Sequence, residues 1–194
     1  VAKNSDNVRV GYAGSVYVGL VGATAPVNPT AAWDPADWTE LGHISEDGIT
    51  EQSSRDTAEF KAWGFPNSPV RIQTTSQEFS FQVTFLETSH HILSLFHGID
   101  LDDFTSTASA GGVPQFLKAN KGSETGPQER ALGIDVIDGT HLQRIIVPKA
   151  QITETGDLSY KTDEMVQYQV TFKGLVGSDG VSWTKMWTNL SLAA

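Results

Sequence analysis

The chain has 194 residues, a formal net charge of −10 and no cysteine, which excludes disulfides, zinc–thiolate sites and thiol chemistry. The sign of the charge is wrong for gripping a phosphate backbone, and no apolar run approaches the ~20 residues of a membrane span. Hydrophobic residues at 39% with charged residues at 19% suit one globular domain over residues 1–194 that buries roughly 70% of its unfolded surface.

Residues 1–7 are polar, and no signal-peptide pattern opens the chain. Val8, Val10 and Tyr12 alternate, as do Val16 and Val18, which predicts an N-terminal strand or a pair of short ones. The run 22–37 holds three prolines among small residues and reads as a loop. About sixteen residues is long for a connection in a compact domain, so a partner-contacting role is expected. Trp38 to Ile44 reads as a strand, and Glu46-Asp47-Gly48 as a tight hairpin turn, since Asp-Gly supplies the positive φ such turns need. Ile49 to Ser54 would be the return strand and Thr57 to Trp63 a further one. Both are mostly polar and are expected to project or to lie on a partner.

After a break at Gly64 to Pro69, the pattern sharpens. Phe79, Phe81, Val83 and Phe85 share one parity, and Glu78, Ser80, Gln82 and Thr84 the other. A strand sends alternate side chains to opposite faces, so this is a two-faced central strand. The period then changes. Thr88 or Ser89 caps a helix, Ile92, Leu95 and Phe96 lie on one side, and Gly98 ends it. That helix is predicted to pack over the sheet's apolar side.

Phe116 to Lys121 reads as a short strand, with a polar turn at Gly122 to Gln128. Leu132, Ile134 and Val136 alternate before Asp138-Gly139, a second hairpin signal, and Leu142 to Val147 returns. Ala150 to Thr155, Gly156-Asp157 and Leu158 to Thr162 suggest a third hairpin. Val166, Tyr168, Val170 and Phe172 alternate with Gln167, Gln169 and Thr171, mirroring the central strand. Val181 to Leu190 is expected to be a terminal strand containing Trp183 and Trp187. Trp63, Trp183 and Trp187 sit in these strands, where burial is expected.

The motifs of common catalytic sites are missing: no G-x-S-x-G, P-loop, G-x-G-x-x-G or H-E-x-x-H occurs. His90 and His97 are seven apart near the helix, but His91 points elsewhere, so no metal site is expected. Asp100, Asp102 and Asp103 lack the glycine and closing glutamate of a calcium loop. Asn189-Leu190-Ser191 fits a glycosylation triplet without a secretion signal beside it. Neither a catalytic role nor a cofactor is expected.

The segments WTELGHISEDGITEQSSRDTAEFKAWG (Trp38 to Gly64) and VRIQTTSQEFSFQVTFLETSHHILSLFHG (Val70 to Gly98) resemble the major tail, or tail tube, proteins of long-tailed bacteriophages. The likeness is greatest to versions from phages of actinobacteria. It is carried by the LG-x-[IV]-SEDG-[IV]-T-E hairpin, the R-[DS]-T-x-E-x-KAWG strand, the V-TF-x-ET strand and the helix closed by glycine. The ATAP-x-NP-T loop at Ala23 to Thr30 is similar as well. About a third of the chain carries the likeness strongly.

The resemblance implies a mainly β protein, a β-sandwich or barrel with one short flanking α-helix. It implies a non-enzymatic virion component: six copies form a ring, rings stack into a tube, and double-stranded DNA leaves through it. Implied partners are further copies of the chain, a tape-measure protein and DNA in the lumen, and tail terminator and distal tail proteins at the ends. Some members carry an extra immunoglobulin-like C-terminal domain, and none is expected here. The hairpin and loop at 44–69 are expected to project, with Glu46, Asp47, Gly48, Glu51, Arg55, Trp63 and Phe65 contacting other subunits. Glu78, Ser80, Gln82, Thr84, Gln167, Gln169 and Thr171 are expected to face the lumen. Two other readings fit a β-rich chain without catalytic motifs: a ring-forming tube protein of a type VI-like secretion system, and a carbohydrate-binding β-sandwich.

Overall fold

The computed structural model describes residues 8–65, 67–122 and 128–188. The polar residues 1–7, Pro66, much of the 122–128 turn and the 189–191 triplet lie outside them. Ten strands and one α-helix follow in order: β1 (Ala13–Gly19), β2 (Trp38–Glu40), β3 (Ile44–Phe60), β4 (Arg71–Phe85), α1 (His90–His97), β5 (Phe104–Thr107), β6 (Phe116–Ala119), β7 (Glu129–Asp138), β8 (His141–Thr155), β9 (Tyr168–Gly174) and β10 (Thr184–Trp187). Strands β5 and β6 form a separate small hairpin. The rest make one antiparallel sheet in the order β2-β1-β7-β8-β9-β4-β3, with β10 paired to β8.

This order forces closure. β2 and β3 lie at opposite edges of the sheet, yet only Leu41, Gly42 and His43 join them. The sheet therefore rolls until the end of β2 and the start of β3 come together, which gives a sandwich-like, mainly β fold. Along this link the flanking ladders each run on by one rung: the Leu41 N–H donates to Val16 O at 2.9 Å, beyond the β1–β2 pairs, and the Leu86 N–H to His43 O at 3.0 Å, beyond the β3–β4 pairs. Inside lies one apolar cluster to which both halves contribute, including Val16, Ile134, Ile145 and Val147 from one side and Phe81, Val83, Phe85, Val170 and Phe172 from the other. The alternation read at 79–85 and 166–172 is this core, and the opposite parity lies outside it.

Helix α1 closes the open side of the core. The Ser89 hydroxyl accepts from the Ile92 N–H at 3.3 Å, and Gly98 at φ 62° ends the helix in the left-handed conformation a glycine adopts without strain. Ile92 and Leu95 are buried, and Phe96 meets the Tyr168 ring edge-on at 5.4 Å between centroids.

Four sequence expectations are corrected. Glu46-Asp47-Gly48 is not a hairpin turn: it lies inside β3, where the register jumps from the Ile44–Phe85 pair to the Ile49–Val83 pair. Gly48, at φ 69°, serves a bulge there. The 49–54 and 57–63 strands are accordingly one strand ending at Phe60, whose partner β4 begins beyond the 61–70 turn. Leu158 to Thr162 does not pair with β8; that edge is taken by β9, whose Val170 and Phe172 reach the core. The terminal strand is short, and Trp63, Trp183 and Trp187 are not buried: Trp63 is fully exposed and the other two are 42% and 47% exposed. Trp63 lies in the turn after β3 rather than in a strand, Trp183 just before β10 and Trp187 at its end.

Candidate channel and assembly surfaces

The register places four strands side by side with a common outer face. Thr50 pairs with Gln82 and Gln82 with Thr171; Gln52 pairs with Ser80, Ser80 with Lys173, and Lys173 with Gln151. Paired residues point to the same side of a sheet, so these rows form one polar surface across β3, β4, β9 and the second half of β8. Thr84 pairs with Gln169 in the next row and Ser54 with Glu78 at the other end. Of the residues expected on this face, Glu78 and Gln169 are exposed and Ser80, Gln82, Thr84 and Thr171 are half-buried. Gln167 is exposed just before β9 begins. Two bulges in β8, at Pro148–Lys149 and at Thr153, keep Val147, Ala150 and Ile152 on the core side while adding Lys149 and Glu154 to the polar side.

The same outer face is not bare over β1, β7 and the first half of β8. There the proline-rich 22–37 loop covers it, held by residues the sequence reading did not single out. Trp33 stacks on Tyr17 at 4.6 Å and meets Trp38 edge-on at 4.7 Å. It lies over Gly133, where a β-carbon would run into the indole. Beneath it, Arg144 donates from Nε and Nη2 to the two oxygens of Asp135, both at 2.7 Å, and from Nη1 to Ala31 O at 2.6 Å and Asn28 O at 3.1 Å. The Trp33 Nε1–H completes the set by donating to Asp135 Oδ2 at 2.7 Å. Asp135 and Arg144 are both buried, so this ion pair is desolvated and each charge is held by directed hydrogen bonds. The signal was present: Asp135 in GIDVI and Arg144 in QRIIV are charges in mostly apolar stretches.

Beyond Ser80, β4 has no neighbour but β3, so the two continue as a two-stranded ribbon to the 61–70 turn. Seven residues past the Ser53–Phe79 pair give an arm of about 24 Å. The arm comprises the outer half of β3, its turn and the outer half of β4, not 44–69, because Ile44 to Gln52 is built into the sheet. Its end carries Phe60, Trp63, Phe65, Val70 and Ile72, all exposed. This is an exposed apolar tip on a polar ribbon. Phe79 at the base is fixed differently, with its ring over Gly174.

The residues expected to contact other subunits are thereby separated. Trp63 and Phe65 are at the tip, and Arg55 is on the ribbon. Glu46, Asp47 and Gly48 are exposed at the bulge beside the 41–43 link, far from the tip along the strand. Glu51 is engaged within its own subunit, where its carboxylate binds Lys185 Nζ at 2.6 Å and ties β3 to β10.

Around α1, the rings of His90 and His91 lie 4.0 Å apart. Burial, and then the neighbouring His90, hold the His91 imidazole below its ordinary value. Among the described residues no three His, Asp or Glu side chains converge as metal ligands do.

The comparisons bear on the whole chain. A family model described as phage tail tube protein matches residues 1–191. A search of curated proteins returns no match. Among solved structures, the chain is similar to a chain of the anti-feeding prophage baseplate, determined by cryo-electron microscopy with 6-fold symmetrisation, at 9% identity and a TM-score of 0.48 over 98% of this chain and 100% of that one. The family match spans nearly all the residues whose strand order and two-faced sheet are described above, and on it the chain belongs to the phage tail tube protein family as a structural subunit of the tube.

Proposed function

We propose that six copies of this chain form a ring, that rings stack into a tube, and that the polar face of β3, β4, β9 and β8 lines a channel for double-stranded DNA. The observation that carries this reading is that the uncovered outer face of β3, β4, β9 and the second half of β8, short of the arm's end, is polar. The 22–37 loop covers the apolar remainder, and β3 leaves one edge without a partner. A free edge that long is normally blunted or covered. Here a neighbouring copy would continue the sheet from it, and the polar rows would run on around the lumen. The contact is heterologous, so stacked rings form an open filament.

In this reading the arm reaches the adjacent ring, with Trp63 and Phe65 as its apolar anchors, since buried aromatics dominate interface energetics. Glu46, Asp47 and Gly48 contact neighbours at the bulge and Arg55 along the arm, and Glu51, paired with Lys185, lies between them. Residues 1–194 act as one tail tube unit with no catalytic role. Tape-measure protein and DNA occupy the lumen, terminator and distal tail proteins cap the ends, and assembly takes place in the host cytoplasm. The motif likeness favours a source among phages of actinobacteria.

The test is electron cryomicroscopy of tubes grown from purified protein. Six-membered rings with Gln82 and Gln169 on the inner wall are expected. A closed dimer, or tubes with that face outermost, would overturn the proposal.

A further inference from the structure

We infer that Glu78 and Glu129 act as built-in stand-ins for phosphate, holding the lysines of the polar face so that passing DNA is not bound. The inference rests on the channel reading above and assigns two specific residues to it. Among the described residues, the register and the bulges place two lysines on this face, Lys173 and Lys149. Each is met by a carboxylate from the adjacent strand: Lys173 Nζ lies 2.8 Å from Glu78 Oε2, and Lys149 Nζ lies 2.9 Å from Glu129 Oε2. Both pairs cross from one strand to the next and lie at the surface, with Glu78 exposed and Lys173, Lys149 and Glu129 half-exposed.

The chemistry follows from what a lysine on a channel wall would otherwise do. Double-stranded DNA presents one charge per ~1.7 Å of axis, and each lysine that meets a phosphate releases a counterion. Two unmasked lysines per copy, repeated around each ring and along the tube, would make a continuous binding track. A carboxylate at 2.8 Å neutralises the ammonium and takes one of its three donors with the same kind of oxygen a phosphate would offer. Exposed pairs of this kind add little to stability, so a stability role does not account for both lysines being matched. Glu154, added to the same face by the Thr153 bulge, leaves the wall net negative.

The experiment uses assembled tubes and a short fluorescent DNA duplex, with binding followed against salt concentration. Tubes of Glu78→Gln/Glu129→Gln are expected to bind the duplex several-fold more tightly than wild type. The slope of log affinity on log salt should steepen by about 0.9 for each lysine that meets a phosphate. Adding Lys173→Gln and Lys149→Gln should return both quantities to wild type. Imaging the same tubes separates the two levels of the argument. If the polar face lines the lumen and the carboxamide variant binds DNA as wild type does, the masking role is wrong while the channel reading stands. If the face is not in the lumen, both fall. Failure of the carboxamide variant to assemble where the fourfold variant assembles normally would also overturn the inference, because the carboxylates would then serve assembly.

Discussion

Arg144→Met removes the cation from beneath the 22–37 loop and leaves Asp135 with Trp33 Nε1 as its one remaining side-chain partner among those described above. The substitution keeps much of the side chain's length and apolar volume, so the loss is electrostatic. Arg144 makes two hydrogen bonds of 2.7 Å to Asp135 and two more to the carbonyls of Asn28 and Ala31. Removing one partner of a buried ion pair costs about 3–5 kcal/mol, because the other charge stays desolvated. At about 2–4 °C per kcal/mol for a domain of this size, the melting temperature should fall by roughly 6–20 °C. The double variant Arg144→Met/Asp135→Asn removes both charges and should recover at least half of that loss, a coupling expected of groups in direct contact. Thermal melts followed by tryptophan fluorescence measure both, and amide exchange over 22–37 reports whether the loop has lifted. A single variant that melts within about 2 °C of wild type, or a double variant no better than the single, would refute the claim that this pair anchors the loop.

Trp63→Ala/Phe65→Ala should leave the subunit's melting temperature unchanged within about 2 °C, because both side chains are exposed, while abolishing tube growth; outright unfolding would show that they serve the subunit's own core. Gln82→Lys/Gln169→Lys should allow normal tail assembly but slow DNA ejection, most at low salt, and unchanged ejection would place this face elsewhere. Gly174→Ala should displace the Phe79 ring from its seat and cost about 1–3 kcal/mol in a denaturant titration; no loss would mean the ring is free to move. His91 should titrate below its ordinary value in an NMR pH series, and His90→Gln should raise it partway, since burial remains. The sign for stability follows: with its folded value lowered, His91 binds fewer protons in the folded state, so its contribution falls as pH drops below about 6.5 and is fully present above it.

Much of the polar face was legible because a strand's period is two. The polar and apolar parities at 78–85 and 166–172 survive folding unchanged, since each strand buries one face. Helix α1 was equally plain, as its cap, apolar side and closing glycine lie within ten residues of one another. The arm was half legible: its polarity announced a segment outside the core, but its limits did not follow. Asp47-Gly48 looks the same in a hairpin turn as in a bulge, and only the partner strand distinguishes them. Trp63 could not be placed either, because a tryptophan in an expected strand reads as buried, and only the structure puts it in the turn after β3.

The sequence by itself determined which residues face the core along the two-faced stretches 79–85 and 166–172, where the helix starts and stops, and the family to which the motifs point. These are local properties, set by periodicity and by glycine and capping chemistry within a few residues. Tertiary structure alone decided which strands are neighbours, and with them the polar face, because its rows join residues as far apart as Gln52, Ser80, Lys173 and Gln151. It also decided that Arg144 and Asp135 meet beneath Trp33 and that each lysine of the face meets a glutamate. Those pairings depend on chain closure over about 9 to 110 residues, whose cost is met by the whole core and is written in no single segment.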